Sequence, residues 1–201
     1  MISKIKWYGI GGGVRLIRDL IFSKLSFPTS RIIRYPWYIR GSKNIDFGTH
    51  LTTGVGLRID AIDGYNTNRI KVKFGKRVQL NDYVHIAAIN SIEIGDDVLI
   101  ASKVFVSDHN HGSYSGIIHS NPRVAPQARV LYGNPVKIES NVWIGESVSI
   151  MPGVVIGEGS IIGAGSVVSK SIPPYSIAVG APAKVIKVYD FEVDKWVACD
   201  H

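Results

Sequence analysis

Residues 136–172 read VKIESNVWIGESVSIMPGVVIGEGSIIGAGSVVSKSI, and the stretch repeats itself every six residues. Ile138, Ile144, Ile150, Ile156, Ile162 and Val168 are aliphatics at that spacing. A second series, four residues further on, is small or β-branched: Val142, Val148, Val154, Ser160, Ser166 and Ile172. Gly145, Gly157 and Gly163 directly follow members of the first series. An α-helix repeats every 3.6 residues and a strand every two, so neither accounts for a longer period with glycine at a set place. A hexapeptide period predicts a parallel β-helix, in which each short strand stacks on the equivalent strand one coil below. The branched aliphatics then point inward, and the small residues fit near the corners.

The repeat also runs upstream. Phe74, Leu80 and Ile86 keep the step, then the phase slips by two and Ile94, Ile100 and Val106 resume it. Phe47, Thr53 and Ile59 mark a more ragged start. The slip predicts a bulge or small insertion in one coil. From His109 to Pro135 the rhythm is lost among Asn110, Gly112, Gly116 and three prolines. Solenoid flanks this segment on both sides, so it reads as an excursion loop (109–135) and not as a domain boundary. Pro173 and Pro174 end the regular coil. An extended segment follows, then a short tail over 188–201 for which a helix is one option. The expected organisation is all-β: a cap segment over 1–40, the solenoid over 41–187 and the tail.

The length of 201 residues suits one domain with a sizeable core, and 21 glycines suit a fold of many tight corners. The single cysteine, Cys199, excludes an internal disulfide framework and suits a reducing compartment. No base adjoins it in sequence, so it reads as a bystander. No apolar run reaches the roughly 18 residues of a membrane span. Arg15, Arg18 and Asp19 interrupt the apolar amino terminus, which therefore does not read as a signal peptide. The expected location is cytoplasmic.

The net charge of +7 is unevenly placed, because residues 1–80 hold 15 Lys/Arg against 4 Asp/Glu. Within that half, Val14, Ile17, Ile21 and Leu25 share one face of a predicted helix, with Arg15, Arg18 and Lys24 largely elsewhere. Two compatible roles follow. The helix caps the open end of the solenoid, or it lies on the inner face of the anionic cytoplasmic membrane. Nucleic acid is not indicated, since no recognition-helix, zinc or aromatic-platform motif accompanies the charge.

Asn141-Val142-Trp143-Ile144-Gly145, Gly163-Ala164-Gly165-Ser166-Val167-Val168 and Gly180-Ala181-Pro182-Ala183-Lys184 resemble the left-handed β-helix acyltransferases that use acetyl-CoA. The resemblance is closer to the maltose and galactoside acetyltransferase branch. Asn81-Asp82-Tyr83-Val84-His85-Ile86-Ala87-Ala88 and Ser107-Asp108-His109-Asn110-His111-Gly112 are similar to the O-antigen acetyltransferases of lipopolysaccharide clusters. The resemblance implies a left-handed coil, a homotrimer with active sites between subunits, and O-acetylation of a sugar hydroxyl on a surface polysaccharide or its precursor. It implies His109 as the general base, a role that suits a side chain titrating near neutrality. It places Asn81 at the acceptor. His85, four residues on, reads as a second acceptor contact or a stacked structural histidine, and His111 as an acceptor contact or a loop residue. Trp143 borders both acceptor and thioester arm. Ala164 and Gly165 are small where pantetheine passes, and Ser169, Lys170, Lys184 and Lys187 are placed to meet CoA phosphates.

His119 reads as an ordinary loop residue. No metal is expected, because zinc-binding relatives of this fold pair two histidines five residues apart and no such pair occurs here. Two alternatives stay open: N-acetylation of an amino sugar in the same pathways, and a non-catalytic β-helix scaffold.

Overall fold

The computed structural model describes residues 2–65 and 69–199. Three parallel sheets wind into a triangular solenoid. Sheet I holds Ile45–Asp46, Val72–Phe74, Ile92–Ile94, Val136–Ile138 and Val155–Ile156. Sheet II begins with Thr52–Thr53, Gln79–Leu80, Leu99–Ile100, Trp143–Ile144 and Ile161–Ile162. Sheet III holds Trp37–Arg40, Leu57–Ala61, His85–Ala88, Phe105–Ser107, Ser149–Ile150 and Val167–Val168. The chain visits I, II and III in turn in each coil.

The six-residue period is the side of the triangle. Phe74, Ile94, Ile138 and Ile156 stack in register in sheet I. Leu80, Ile100, Ile144 and Ile162 do so in sheet II, and Ile59, Ile86, Val106, Ile150 and Val168 in sheet III. All of them are buried. Ser160 and Ser166 replace valine at the last corners because their hydroxyls bond the backbone there: they donate to the carbonyls of Pro173 and Gly163 at 2.8 and 2.7 Å.

At the corner between sheets II and III, Gly56, Tyr83, Lys103, Ser147 and Gly165 all take positive φ, between 58° and 72°. For a residue with a side chain that conformation costs about 1–2 kcal/mol. It is held because each such residue bonds to the coil before it. The N–H groups of Tyr83, Lys103, Ser147 and Gly165 donate to the carbonyls of Val55, Asp82, Ser102 and Glu146 at 2.8–3.0 Å.

The expected slip of two residues is the corner at Ile89-Asn90-Ser91, between sheets III and I. The excursion has more order than its composition suggested. Its base closes as an antiparallel pair, His109–His111 with Leu131–Gly133. The tail is corrected too: residues 188–201 are not helical where described. Lys184–Asp190 pairs antiparallel with Ser176–Val179 and then with Lys195–Ala198, which extends sheet II. Along this strand Val185, Ile186 and Tyr189 are half-buried while Lys184, Lys187 and Asp190 are exposed. A register shift opposite Ile177 and Ala178 breaks strict alternation.

The amino-terminal helix, Ile2–Ser26, carries a non-helical Gly9. It packs over the first coil, but with the opposite face to the apolar one. Gly13, Asp19, Ser23 and then Phe27 are buried, while Val14, Ile17, Ile21 and Leu25 are exposed. Ser23 accepts from the Ile33 N–H at 2.7 Å, and Phe27 meets the rings of Phe47 and Trp37. Hydrogen bonding and one aromatic anchor, not the aliphatic stripe, hold the helix down.

Neighbouring coils approach closely where glycine follows the inward aliphatic. A Cβ on Gly145 would lie 2.6 Å from the backbone nitrogen of Ala164 and 2.8 Å from the carbonyl oxygen of Ile162. Gly145→Ala is expected to lower the unfolding free energy by about 1–3 kcal/mol through overpacking. Urea denaturation measures this, and an unchanged midpoint would contradict the close approach.

Candidate active site

The sheet III strand Phe105–Ser107 ends at Ser107, and the chain then turns into the excursion through Asp108 and His109. Asp108 is fully buried. Its carboxylate accepts from the backbone N–H groups of Ile89 at 3.0 and 3.2 Å, Asn90 at 2.7 Å and Ser91 at 2.9 Å. The residues inserted at the phase slip thus form a nest of donors around one carboxylate. A buried carboxylate needs such partners, because an unpaired one costs several kcal/mol. The same carboxylate lies 2.9 Å from His109 Nδ1. With Asp108 ionised, Nδ1 carries the proton and Nε2 keeps its lone pair. The imidazole is about nine-tenths buried, and Ser107 Oγ accepts from its backbone N–H at 3.2 Å. Ring orientation and tautomer are therefore set by groups that are themselves fixed.

His109 opens into a cleft of about 540 Å³, lined also by Arg40, Arg58, Asp60, His85, Phe105, Ser107 and His111. Asp60 sits at its floor. It accepts from Arg40 Nε at 2.5 Å, from Arg58 Nε at 2.9 Å and bonds His85 Nε2 at 3.2 Å. Burial raises the Asp60 carboxyl, but the bonds from Arg40, His85 and Arg58 outweigh it and hold the group below its ordinary value. Burial lowers His85, against the opposing pull of Asp60. At neutral pH the His85–Asp60 contact is accordingly a neutral-imidazole hydrogen bond, not an ion pair.

His85 and His111 thus share the cleft with His109. His111 is exposed, and its carbonyl accepts from the Tyr114 hydroxyl. Asn81 is elsewhere. It lies at the corner between sheets II and III, accepts from Gln79 Nε2 at 3.3 Å, and faces a hollow lined by Tyr8, Arg34, Thr52 and Ser102. Trp143 stands half exposed on sheet II. It stands in a ladder that continues through Ile161 and Ile177 to Lys187. Lys184 is on the same added strand, opposite Val179. Ala164 and Gly165 occupy the exposed corner beside this ladder, and Ser169 and Lys170 follow the last strand of sheet III, exposed. One chain therefore groups the residues into two sets: His109, His85 and His111 by sheet III, and Trp143, Lys184 and Lys187 along sheet II.

Sequence reasoning missed Asp108, Asp60, Arg40 and Arg58. The signal for Asp108 was an acidic residue next to His109 at the point where the rhythm stops. The signal for the others was the outward phase of their strands: Arg58 and Asp60 flank the inward Ile59, and Arg40 follows Ile39. His119 bonds within the excursion, to the Gly116 carbonyl. Cys199 bonds through its N–H to Ile186 in the terminal hairpin. Among the described residues, no group of three metal-ligating side chains converges.

Comparison with known proteins agrees with this architecture. Residues 135–170 match the bacterial transferase hexapeptide family, six repeats. Over 198 residues, 98% of each chain, the protein is 47% identical to WbbJ of Escherichia coli (strain K12), provisionally named a lipopolysaccharide biosynthesis O-acetyl transferase. It is 40% identical to the galactoside O-acetyltransferase of the same strain over 116 residues, 58% of this chain and 53% of the other. Among solved structures is a cysteine-for-serine variant of AntD, an N-acyltransferase from Bacillus cereus, in complex with dTDP-4-amino-4,6-dideoxyglucose and coenzyme A. It superposes with a TM-score of 0.67 at 25% identity, over 82% of this chain and 83% of that one. A maltose O-acetyltransferase from Clostridium difficile 630 gives 0.58 at 33% identity, over 73% and 71%. An acetyltransferase from Vibrio cholerae, VCA0836, complexed with acetyl-CoA, gives 0.52 at 25%, over 72% and 69%. The chain belongs to the hexapeptide-repeat acetyltransferases, and its coil is the left-handed β-helix of that family.

The buried Asp108 carboxylate holds three consecutive backbone N–H groups and one imidazole. Asp108→Ala is expected to lower the unfolding free energy by about 3–5 kcal/mol, because the donors lose a charged acceptor. His109→Ala, which leaves the three backbone donors paired with the carboxylate, is expected to cost less, about 1–2 kcal/mol. Urea unfolding of both variants tests the ranking, and equal small losses would contradict it.

Proposed function

We propose that the protein transfers the acetyl group of acetyl-CoA to a sugar hydroxyl of a bacterial surface polysaccharide or its precursor. The observation that carries this reading is the Asp108–His109 pair at the head of a cleft. His109 Nε2 takes the proton as the hydroxyl oxygen attacks the thioester carbonyl. The tetrahedral intermediate then collapses with cleavage of the C–S bond, and the proton passes to the departing thiolate. Asp108 acts as a positioning residue: it fixes the tautomer and stabilises the imidazolium that forms. The WbbJ and galactoside O-acetyltransferase likenesses support a sugar O-acceptor. The VCA0836 complex supports acetyl-CoA as the donor.

The separation of the two sets of residues favours a shared site. In a homotrimer, His109 of one subunit would face the Trp143, Ala164, Gly165, Lys184 and Lys187 surface of the next, and Asn81 would approach the acceptor from there. Ser169 and Lys170 would reach the CoA phosphates. A second reading, transfer to an amine, is favoured by the likeness to AntD. Thiol release from acetyl-CoA with hydroxyl-only and amino sugars separates the two. In that assay His109→Ala is expected to lower kcat by about 10²–10⁴ while acetyl-CoA affinity changes little. Near-normal turnover would contradict the assignment of the base.

The amino-terminal helix supports a further part of this reading, that the protein docks on an anionic membrane surface. Ile17, Ile21, Phe22 and Leu25 are exposed, with Arg15 and Lys24 beside them. No described helix is long and apolar enough to cross a membrane. Apolar burial at the interface plus about 1 kcal/mol for each basic residue near it would hold the protein in place. Co-sedimentation with anionic vesicles at low salt is expected, weakened by salt and by Ile17→Glu/Ile21→Glu. Absence of vesicle binding, with subunit association lost in that variant, would instead assign the face to a second copy of the chain.

A further inference from the structure

The His109 cleft does not end at His85. A second hollow of about 750 Å³ is lined by Trp37, Tyr38, Ile39, Gly56 and Tyr83, and it shares Arg40, Arg58 and His85 with the cleft. The two form one groove across the outer face of sheet III. Register places its residues in columns: Tyr38, Arg58, His85 and Phe105 in one, Arg40, Asp60, Ala87 and Ser107 in the next. His109 stands two residues beyond Ser107. Arg58 is two strands away from Phe105 and Arg40 three, or about 10–14 Å at the usual spacing of about 4.8 Å per strand.

The charge at the middle of this groove is unbalanced. One carboxylate, Asp60, serves two guanidiniums. Both bonds use Nε, and the terminal nitrogens of Arg40 and Arg58 have no other partner among the described residues. Asp60 lies beneath at 8% exposure, whereas Arg40 and Arg58 are 70% and 47% exposed. The carboxylate thus braces two forks whose outer edges face solvent. Such forks match phosphate oxygens. Beyond them stand Tyr38 and Tyr83, exposed, and Trp37, half-buried. These are flat apolar surfaces suited to whatever a phosphate carries.

We propose that Arg40 and Arg58 form a phosphate subsite for the acceptor, so that the enzyme acetylates a sugar still carried on a diphosphate. The sugar hydroxyl lies at His109, the diphosphate at the two guanidiniums, and the nucleoside or isoprenoid beyond it against Trp37, Tyr38 and Tyr83. This rests on the His109 cleft being the acceptor site. It places the reaction after the step that activates the sugar as a glycosyl diphosphate and before the step that releases that diphosphate.

Isothermal titration of the intact protein with UDP and with farnesyl diphosphate tests the subsite, with methyl galactoside and glucuronate as controls. At least one diphosphate is expected to bind, more weakly as salt rises, and about tenfold or more weakly in Arg58→Gln and in Arg40→Gln. Arg40 is largely exposed on an edge strand, so Arg40→Gln reads the subsite even if Arg58→Gln misfolds. Binding of UDP alone identifies a nucleotide-borne acceptor, of farnesyl diphosphate alone a lipid-borne one, and of both a site that reads the diphosphate; each supports the subsite. Binding of neither, preference for glucuronate, or diphosphate affinity indifferent to both substitutions would overturn it. Acetyl-CoA titration of the same protein reports separately on the transferase reading: acetyl-CoA binding without diphosphate binding removes the subsite and leaves the transferase, and the converse result does the opposite.

Discussion

At every corner between sheets II and III, a residue with left-handed backbone donates its N–H to the coil before it. The same holds between sheets I and II, where Arg77, Asp97, Asn141 and Gly159 donate to Thr49, Lys76, Asp96 and Ser140. Non-glycine side chains at most of these places oppose the conformation, so the stacking of coils has to hold it. That stacking depends in turn on inward aliphatics in register. Side-chain period, corner geometry and interstrand bonds are thus one requirement. Local choices that agree in this way are what makes a repeat fold specific.

The candidate site departs from that requirement at one place. Between sheets III and I, the coil holding His85 carries extra residues at Ile89-Asn90-Ser91, and their N–H groups turn to the Asp108 carboxylate of the next coil. A ladder bond between coils is replaced by a charged acceptor, and the chain is free to leave the solenoid at His109. The excursion is anchored at both ends, since Asn134 N–H also donates to the Asp108 carbonyl at 2.8 Å. The side chain that orients the imidazole is therefore the one that closes the structure around the loop. Site geometry and local stability share a residue, as expected where preorganisation comes from the surrounding shell.

The solenoid was legible because its period is written in buried side chains that have no other freedom. Ile138, Ile144 and Ile150 each define a side of the triangle. His109 was legible as the point where that rhythm stops. The tail was not: Lys184–Asp190 and Lys195–Ala198 pair antiparallel at the end of sheet II, and nothing in a six-residue period announces a hairpin added to its edge. The helix was half legible. Its apolar stripe is real, but Ser23, bonded to Ile33, and Phe27, packed on Phe47, decide which side faces the solenoid. Arg40, Arg58 and Asp60 come from successive coils joined by spacings that break the repeat, so their convergence needed the three-dimensional register.

Within one chain, the imidazole and the surface that would carry the cofactor lie on different sheets. On the proposed reading, two neighbouring subunits complete each site. The direct measurement is complementation. Chains carrying His109→Ala and chains carrying Ala164→Trp should each be inactive as uniform assemblies. When they are co-expressed with different tags and purified as mixed assemblies, sites that pair an intact His109 with an intact groove reappear, and thiol release from acetyl-CoA in the presence of acceptor returns to a measurable fraction of the unmodified rate. Mixed assemblies that form but stay inactive would contradict a site shared between subunits.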